Sequence, residues 1–362
     1  MVSALGFGAM RLPRLEDRTC DYDKAVPLLQ RGIELGINYI DSAWGYLKGT
    51  SEVAVGKAIK GHDREKLYLS TKVPLEGQSG AEWREQLETQ LKRLDTHYID
   101  LHNMHSLRWD TFVEKAKGPG KPLEAALQAK EEGLIRHICF SCHDTVENIK
   151  QLIDTGIFSG MTVQYNLLDR HNEPAIAYAY DHGVGVTIMG PVGGGRLGLP
   201  SEAIQSLIPG GTKSTPEIAL RFVLANPAVS LALSGMNEMR QIEENVVTAS
   251  REEPLSQAEL AQMAAALDET GRLAELYCTG CGYCMPCPNE VNIPENFKYM
   301  NYHRVYGLKE YACQAYAKLS AGGHWVKGLP ASACLQCGEC EPKCPQNILI
   351  VEQLEEVAAT LG

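Results

Sequence analysis

Residues 67–105 read LYLSTKVPLEGQSGAEWREQLETQLKRLDTHYIDLHNMH: an apolar strand (Leu67–Val73), an amphipathic helix (Ala81–Leu94) and a second strand (Tyr98–His105). The same alternation extends outward from residue 1 to about 253. Further strands are expected over Ser3–Ala9, Ile37–Ser42, His137–Cys142, Met161–Tyr165, Val184–Met189 and Val229–Gly235. Helical patterns lie between them, among them Asp23–Leu35, Pro122–Glu132 and Pro216–Leu224, and Glu238–Ala249 follows the last strand. Thr215 before Pro216 reads as an N-cap with proline at the first helical position. Eight strands alternating with helices predict an α/β fold with a parallel sheet. Such a sheet must have both faces covered, and closure into a (β/α)8 TIM barrel does that. The alternative is an open doubly wound sheet, but no G-x-G-x-x-G turn follows an early strand. In a barrel the chemistry belongs at the C-terminal ends of the strands.

Near Glu253–Ser256 the pattern changes. Ser256 and Glu259 form a capping box that opens one more helix, through about Asp268. Beyond it the chain is rich in cysteine, and Ile293–Leu319 reads largely as helices. The expected domains are a barrel over 1–255 and a mostly helical domain over 256–362. At 362 residues, 44% hydrophobic and 22% charged, the composition is that of a globular protein. No run of 18 apolar residues suggests a membrane span. Met1-Val-Ser-Ala-Leu-Gly lacks the basic region of a secretory signal, so a cytoplasmic protein is expected. A net charge of −11 argues against general nucleic-acid binding and suits small-molecule chemistry.

Two cysteine runs carry the clearest chemical signal. The first is Cys278-Thr-Gly-Cys281-Gly-Tyr-Cys284-Met-Pro-Cys287-Pro288, and the second is Cys334-Leu-Gln-Cys337-Gly-Glu-Cys340-Glu-Pro-Lys-Cys344-Pro345. Three cysteines at two-residue intervals, with a fourth before a proline, are the scaffold of a [4Fe–4S] cube, so eight cysteines supply two cubes. Zinc sites favour separated C-x2-C pairs, and disulfides suit small secreted chains. In two-cluster ferredoxins the fourth cysteine of each run binds the other cube. That pattern pairs Cys278, Cys281 and Cys284 with Cys344, and Cys334, Cys337 and Cys340 with Cys287. The first run has two residues before its last cysteine where the second has three. The spacer of about 46 residues suits a helical ferredoxin-like module. Cys139 and Cys313 read as buried small hydrophobes, and Cys142 as packing or a redox-active thiol.

The strand ends carry a second set. Strand two ends Tyr39-Ile-Asp41-Ser-Ala-Trp-Gly-Tyr46, strand three Leu69-Ser-Thr-Lys72 and strand four Tyr98-Ile-Asp100-Leu-His-Asn-Met-His105. Taken singly, Asp41 could cap a turn, Tyr46 could be a surface aromatic and Lys72 a solvated charge. Together, at successive strand ends, they point to catalysis. The set resembles the aldo/keto reductase family, whose tetrad of Asp, Tyr, Lys and His maps to Asp41, Tyr46, Lys72 and His105. The likeness covers residues 2 to about 250. The whole chain is similar to the branch of that family with a ferredoxin-like C-terminal domain. His102 competes with His105, but residues three apart on a strand face opposite sides, and His105 lies nearer the strand end. Carbonyl reduction needs a hydride on carbon and a proton on oxygen. A lysine ammonium stabilises a neighbouring phenolate and makes tyrosine a usable acid or base. Asp41 would hold Lys72, and His105 would orient the substrate oxygen.

The resemblance also implies a dinucleotide site. Gly8, Ala9 and Met10 should lie near it, with Ser141, Gln164 and Met189 around the nicotinamide. Pro191-Val-Gly193-Gly194-Gly195-Arg196 would lie under the pyrophosphate. Gly235, Met236, Asn237, Gln241, Glu244 and Asn245 would meet the adenosine. The family's asparagine after the serine is Cys142 here, and its stacking tyrosine is Met189. Arg240 is the only cation near the adenosine end, so NAD is as plausible as NADP. A short hairpin that plugs the barrel bottom in the family has no counterpart before Val2. Trp44 and Trp109 would line the substrate pocket or pack the rim.

The expected function is an NAD(P)-dependent oxidoreductase interconverting a carbonyl and an alcohol, with two [4Fe–4S] clusters and a small-molecule substrate. One alternative is an electron-transfer protein serving a redox partner protein. Another is that the clusters only brace the fold. A nicotinamide delivers two electrons together, a cube accepts one, and no flavin fingerprint bridges them. The clusters are therefore expected off the hydride path.

Overall fold

The computed structural model describes the chain except residues 208–213, 252–254, 276–277, 279–281, 321–325 and 345–347, and gives backbone only at 257, 270–275 and 320. Two compact units emerge: Met1–Gly194 with Ala219–Pro254, and Gly195–Ile218 with Leu255–Gly362.

The first unit is built on eight parallel strands: β1 (Leu5–Gly8), β2 (Tyr39–Asp41), β3 (Tyr68–Pro74), β4 (Ile99–His105), β5 (Ile135–Ser141), β6 (Gly160–Gln164), β7 (Gly185–Met189) and β8 (Leu231–Ser234). They pair in sequence order, and β1 pairs with β8 to close the barrel. Between and after them lie α1 (Tyr22–Glu34), α2 (Thr50–Ala58), α3 (Gly80–Leu94), α4 (Pro122–Glu131), α5 (Val146–Asp154), α6 (Glu173–Asp181), α7 (Thr215–Leu224) and α8 (Met239–Ala249).

Local chemistry fixes the helix starts. In α3 the Ser79 hydroxyl accepts the Glu82 N–H, while the Glu82 carboxylate accepts the Ser79 N–H at 2.7 Å. Such a box satisfies two backbone donors that the helix cannot. The start of α7 differs from the expected Thr215 cap. Ser214 accepts there, its carbonyl from Ile218 N at 3.3 Å and its hydroxyl from Glu217 N at 3.5 Å. The Thr215 hydroxyl is taken by the Ser201 N–H at 2.9 Å, which removes it from capping.

Helix α3 shows how the barrel is covered. Trp83, Leu87 and Leu94 are fully buried, and each such side chain contributes about 1.5–3 kcal/mol by leaving water. At the N-terminal ends of the strands, Tyr39, Leu231 and Leu233 form an apolar cluster against which Val2, Tyr68 and Leu101 pack. Val2 thus sits at the end where the family resemblance implies a hairpin.

In the second unit α9 spans Gln257–Glu275, seven residues past the expected Asp268. Its start is the Ser256–Glu259 box: Glu259 N donates to the Ser256 hydroxyl at 3.2 Å, and Ser256 N to the Glu259 carboxylate at 2.7 Å. The lone Gly271 within it costs only about 1 kcal/mol against alanine and does not stop the helix. Among the described residues three more α-helices follow: α10 (Ile293–Arg304), α11 (Lys309–Ser320) and α12 (Ile350–Leu361).

Candidate active site and cysteine centre

Strand register assembles the tetrad. Asp41 is opposite Ser70, Lys72 opposite Asn103 and Pro74 opposite His105. Alternation puts Ser70 and Lys72 on one face of β3, and Leu101, Asn103 and His105 on one face of β4. The Lys72 ammonium donates to Asp41 Oδ2 at 2.5 Å and to the Ser42 carbonyl at 2.7 Å. Both charged groups are buried, at 2% and 4% exposure. Ser70 Oγ donates to Asp41 Oδ1 at 2.8 Å and accepts from Asn103 Nδ2 at 3.1 Å. Asp41 thus receives both Lys72 and Ser70, which fixes its carboxylate.

Tyr46 lies on the turn after β2. The Lys72 Nζ is 5.0 Å from its ring centroid, and the ring meets His105 edge-on at 5.9 Å. Burial alone would lower the Lys72 pKa. The charge of Asp41, the Tyr46 phenol and the hydrogen bonds that the ammonium makes to both outweigh it and hold the amine above the ordinary lysine value. Lys72 therefore keeps its proton at neutral pH. Burial first, then the charges of Lys72 and His143, push His105 down to about 4. It is a neutral imidazole, able to donate one ring N–H.

His102 faces the other way. Its Nε2 is 2.9 Å from Gln90 Oε1 on α3, its ring meets Trp83 at 4.9 Å, and burial pushes it down to about 3. A histidine whose folded pKa is depressed stabilises the fold above its ordinary value of about 6.5, and this is lost as pH falls toward the folded value. His102 and His105 should therefore make the barrel lose stability as pH falls from about 6.5, down to about 4 for His105 and about 3 for His102. Urea unfolding across that range checks this; a flat profile would contradict it.

Three non-glycine residues beside the tetrad hold left-handed backbone: Leu47 (φ 51°) and Lys48 (φ 56°) after Tyr46, and Ser106 (φ 50°) after His105. Such conformations cost energy and cluster where function demands geometry. The Ser106 N–H donates to Ser141 Oγ at 2.9 Å, which ties His105 to the end of β5.

The residues expected around a dinucleotide divide into three groups. Gly8 ends β1, Ala9 and Met10 open the 3-10 turn that follows it, and Met10 is exposed. Ser141, Gln164 and Met189 end β5, β6 and β7. A Cβ on Gly190 would meet Gln164 Oε1 at 2.8 Å, and Asn166 Nδ2 donates to the Gly190 carbonyl at 3.0 Å. After Pro191, Gly193, Gly194 and Gly195 all have positive φ (59°, 67° and 100°), and Arg11 donates to the Gly194 carbonyl at 3.0 Å. The same arginine covers Gly235, where a Cβ would meet its Cδ at 2.9 Å. Gly190 and Gly235 are thus packed under Gln164 and Arg11, and the loop glycines hold a backbone that only glycine takes without strain. At the adenosine end Met236 is fully buried, and Gln241 accepts the Asn237 N–H at 2.9 Å. Asn245 donates to Ser234 Oγ at 3.1 Å, and Arg240 pairs with Glu244 at 3.7 Å. In the second unit the Arg196 guanidinium hydrogen-bonds the Tyr302 hydroxyl and lies over its ring. Arg11 escaped the sequence reading because a single basic residue carries no periodic or motif signal.

The cysteines are described within the second unit. A cavity of about 80 Å³ is lined by Cys284, Cys287, Cys334, Cys337 and Cys340, with Ile293, Val351 and Leu354. These include the four cysteines that the ferredoxin pattern assigns to one cube. Cys278 and Cys344 are described but do not line this cavity, and Cys281 lies outside the described residues. Among the described residues no three ligand side chains converge on the position of a single ion. Cysteines arranged around a cavity suit a cluster better than one metal ion. Asparagines draw the two runs together. Asn289 donates to the Ala333 carbonyl at 2.5 Å, and Asn296 accepts the Ala331 N–H at 2.8 Å while donating to the Leu329 carbonyl at 3.2 Å.

Residues 4–268 match the model of the aldo/keto reductase family. The chain belongs to the aldo/keto reductase family. Residues 277–349 of this aldo/keto reductase match the model of a 4Fe-4S dicluster domain. It is 30% identical over 286 residues to an oxidoreductase of Schizosaccharomyces pombe, covering 75% of this chain and 88% of the relative. A holo aldo-keto reductase from Bacillus halodurans superposes with a TM-score of 0.63 at 30% identity, over 73% of this chain and 92% of that one. An aldo/keto reductase from Klebsiella pneumoniae in complex with NADP and acetate superposes with a TM-score of 0.61 at 26% identity, over 73% and 91%. The protein is an oxidoreductase of this family, with an eight-stranded barrel and an iron–sulfur domain. No helix among the described residues is long and apolar enough to cross a membrane.

Proposed function

We propose that this protein reduces a carbonyl to an alcohol, and reverses that reaction, using NADH or NADPH. The observation that carries the reading is the buried Lys72–Asp41 pair beside Tyr46, with neutral His105 against the same ring. A bound nicotinamide supplies the hydride. Tyr46 holds the proton that the substrate oxygen takes up. The Lys72 ammonium, fixed by Asp41 and the Ser42 carbonyl, stabilises the negative charge that the phenol acquires. His105, uncharged, offers a ring N–H that orients the carbonyl oxygen and competes little with Tyr46 as an acid. In the oxidative direction the same phenolate accepts the alcohol proton.

The glycine run after β7, with the Arg11 guanidinium bonded to the Gly194 carbonyl, supports nucleotide binding. The NADP in the Klebsiella relative supports that cofactor, while Arg240, the cation expected at the adenosine end, is paired with Glu244. We expect kcat/KM for NADPH and NADH to lie within about tenfold of each other. An anoxic screen of aldehydes and ketones with both nucleotides tests the proposal. Absence of turnover across the panel would end the reductase reading, and a hundredfold NADPH preference would end the dual-cofactor one.

The domain boundary near residue 255 is part of this reading, as are two clusters bound by the eight motif cysteines. Cys337 is exposed and Leu335 is 73% exposed, so the loop of one cube is open to a one-electron redox partner protein. A cytoplasmic location would keep the thiolates reduced.

A further inference from the structure

The mechanism places Tyr46 but does not say what holds it. The turn that carries it is costly: Leu47, Lys48 and Gly49 have φ of 51°, 56° and 82°, three left-handed residues in succession. Gly49 takes this conformation freely, but Leu47 and Lys48 left alone would relax, because each L-residue there costs about 1–2 kcal/mol. Arg93, near the end of α3, lies against it. A Cβ on Gly49 would meet Arg93 Cζ, Nη1 and Nη2, each at 3.0 Å, so the guanidinium lies across Gly49. Its Cζ is also 4.2 Å from the centroid of the Trp44 ring, and Nη1 donates to the Trp44 carbonyl at 3.2 Å. The same Nη1 lies 3.1 Å from Glu52 Oε2, and Glu52 is fully buried. The other Glu52 oxygen accepts from Thr71 Oγ1 at 2.6 Å and Gln90 Nε2 at 2.7 Å. Gln90 in turn donates to the Lys72 carbonyl at 3.2 Å, and Trp44 N donates to that carbonyl at 2.8 Å.

We propose that Arg93 is a positioning residue for the proton donor. Seated against both Trp44 and Gly49 and anchored by Glu52, it holds the left-handed turn that sets the Tyr46 hydroxyl against the Lys72 ammonium. This rests on the reading of Tyr46 as that donor. Arginine suits the task because its planar cation stacks on an aromatic face while a single Nη donates to two acceptors. Lysine could supply the charge but not the flat cover over Gly49.

Removing Arg93 alone strands the buried Glu52 carboxylate, which can unfold a barrel. The test therefore pairs Arg93→Gln with Glu52→Gln and compares it with Glu52→Gln alone. Turnover is read with NADPH and 4-nitrobenzaldehyde, and backbone hydrogen exchange is read over residues 44–50. The double variant should lose about 10²-fold in kcat with aldehyde KM unchanged, as expected for a misplaced catalytic group. Amides 44–50 should exchange faster, while those of β3 and β4 do not change. Arg93→Lys, with Glu52 kept, should regain part of kcat. Unchanged exchange over 44–50, or unchanged kcat, overturns the proposal. Tyr46→Phe is the companion control: if it retains turnover, the donor reading fails on its own account. Exchange over 44–50 then decides separately whether Arg93 holds the turn.

Discussion

Replacing Tyr46 by phenylalanine should lower kcat for carbonyl reduction by about 10²–10⁴-fold, the range that a positioned general acid supplies. The ring would remain, so its edge contact with His105 and its place over Lys72 would persist. Only the hydroxyl is lost, and with it the proton for the substrate oxygen. Nucleotide binding and the visible spectrum of the iron–sulfur domain should not change. Lys72→Met should also depress turnover, but for a second reason. It would leave Asp41 buried without its cation, and breaking a buried pair costs about 3–5 kcal/mol. Loss of activity with loss of fold is expected there, and loss of activity alone for Tyr46→Phe. Steady-state kinetics beside thermal unfolding separates the two. Full activity in Tyr46→Phe would remove the tetrad from the mechanism.

Cys287→Ser should halve the iron content, and the lost cube should be the one held by Cys334, Cys337 and Cys340. These four cysteines line one cavity, together with Cys284, although Cys287 is 47 residues or more from Cys334, Cys337 and Cys340 in the chain. If each run instead bound its own cube, Cys287→Ser would damage the cluster of Cys278, Cys281 and Cys284. Pairing the substitution with Cys340→Ser decides between these. When both cysteines serve one cube, the double variant retains half the iron, as each single variant does. When they serve different cubes, the double variant loses both. Iron and sulfide analysis with EPR of the dithionite-reduced protein makes the measurement.

The barrel was legible because its pattern is local. Each strand is a short apolar run between turn signals, and each helix presents one apolar stripe, so eight strands could be placed without knowing how they meet. The tetrad was legible because strand ends converge in a closed barrel, and alternation separated His105 from His102. What escaped was non-local. Arg93 and Gly49 are 44 residues apart, and nothing in either segment announces that a guanidinium lies across that glycine. Arg11 and Gly194 are joined across 183 residues. Thr215 looked like a cap because the sequence cannot show that Ser201 claims its hydroxyl. Nothing in the segments that hold Asn289 and Asn296 announces the carbonyl and N–H partners through which they draw the cysteine runs together.

The account rests on hydride transfer to carbon with protonation at oxygen from Tyr46, the clusters standing aside. The most direct measurement follows both at once: NADPH deuterated at the transferable position, an aldehyde substrate and anoxic protein with oxidised clusters. The account predicts an alcohol carrying one deuterium on carbon, with the cluster absorbance unbleached throughout turnover. Label washed out into water, with bleaching as fast as NADPH is consumed, would route the electrons through the iron and contradict it.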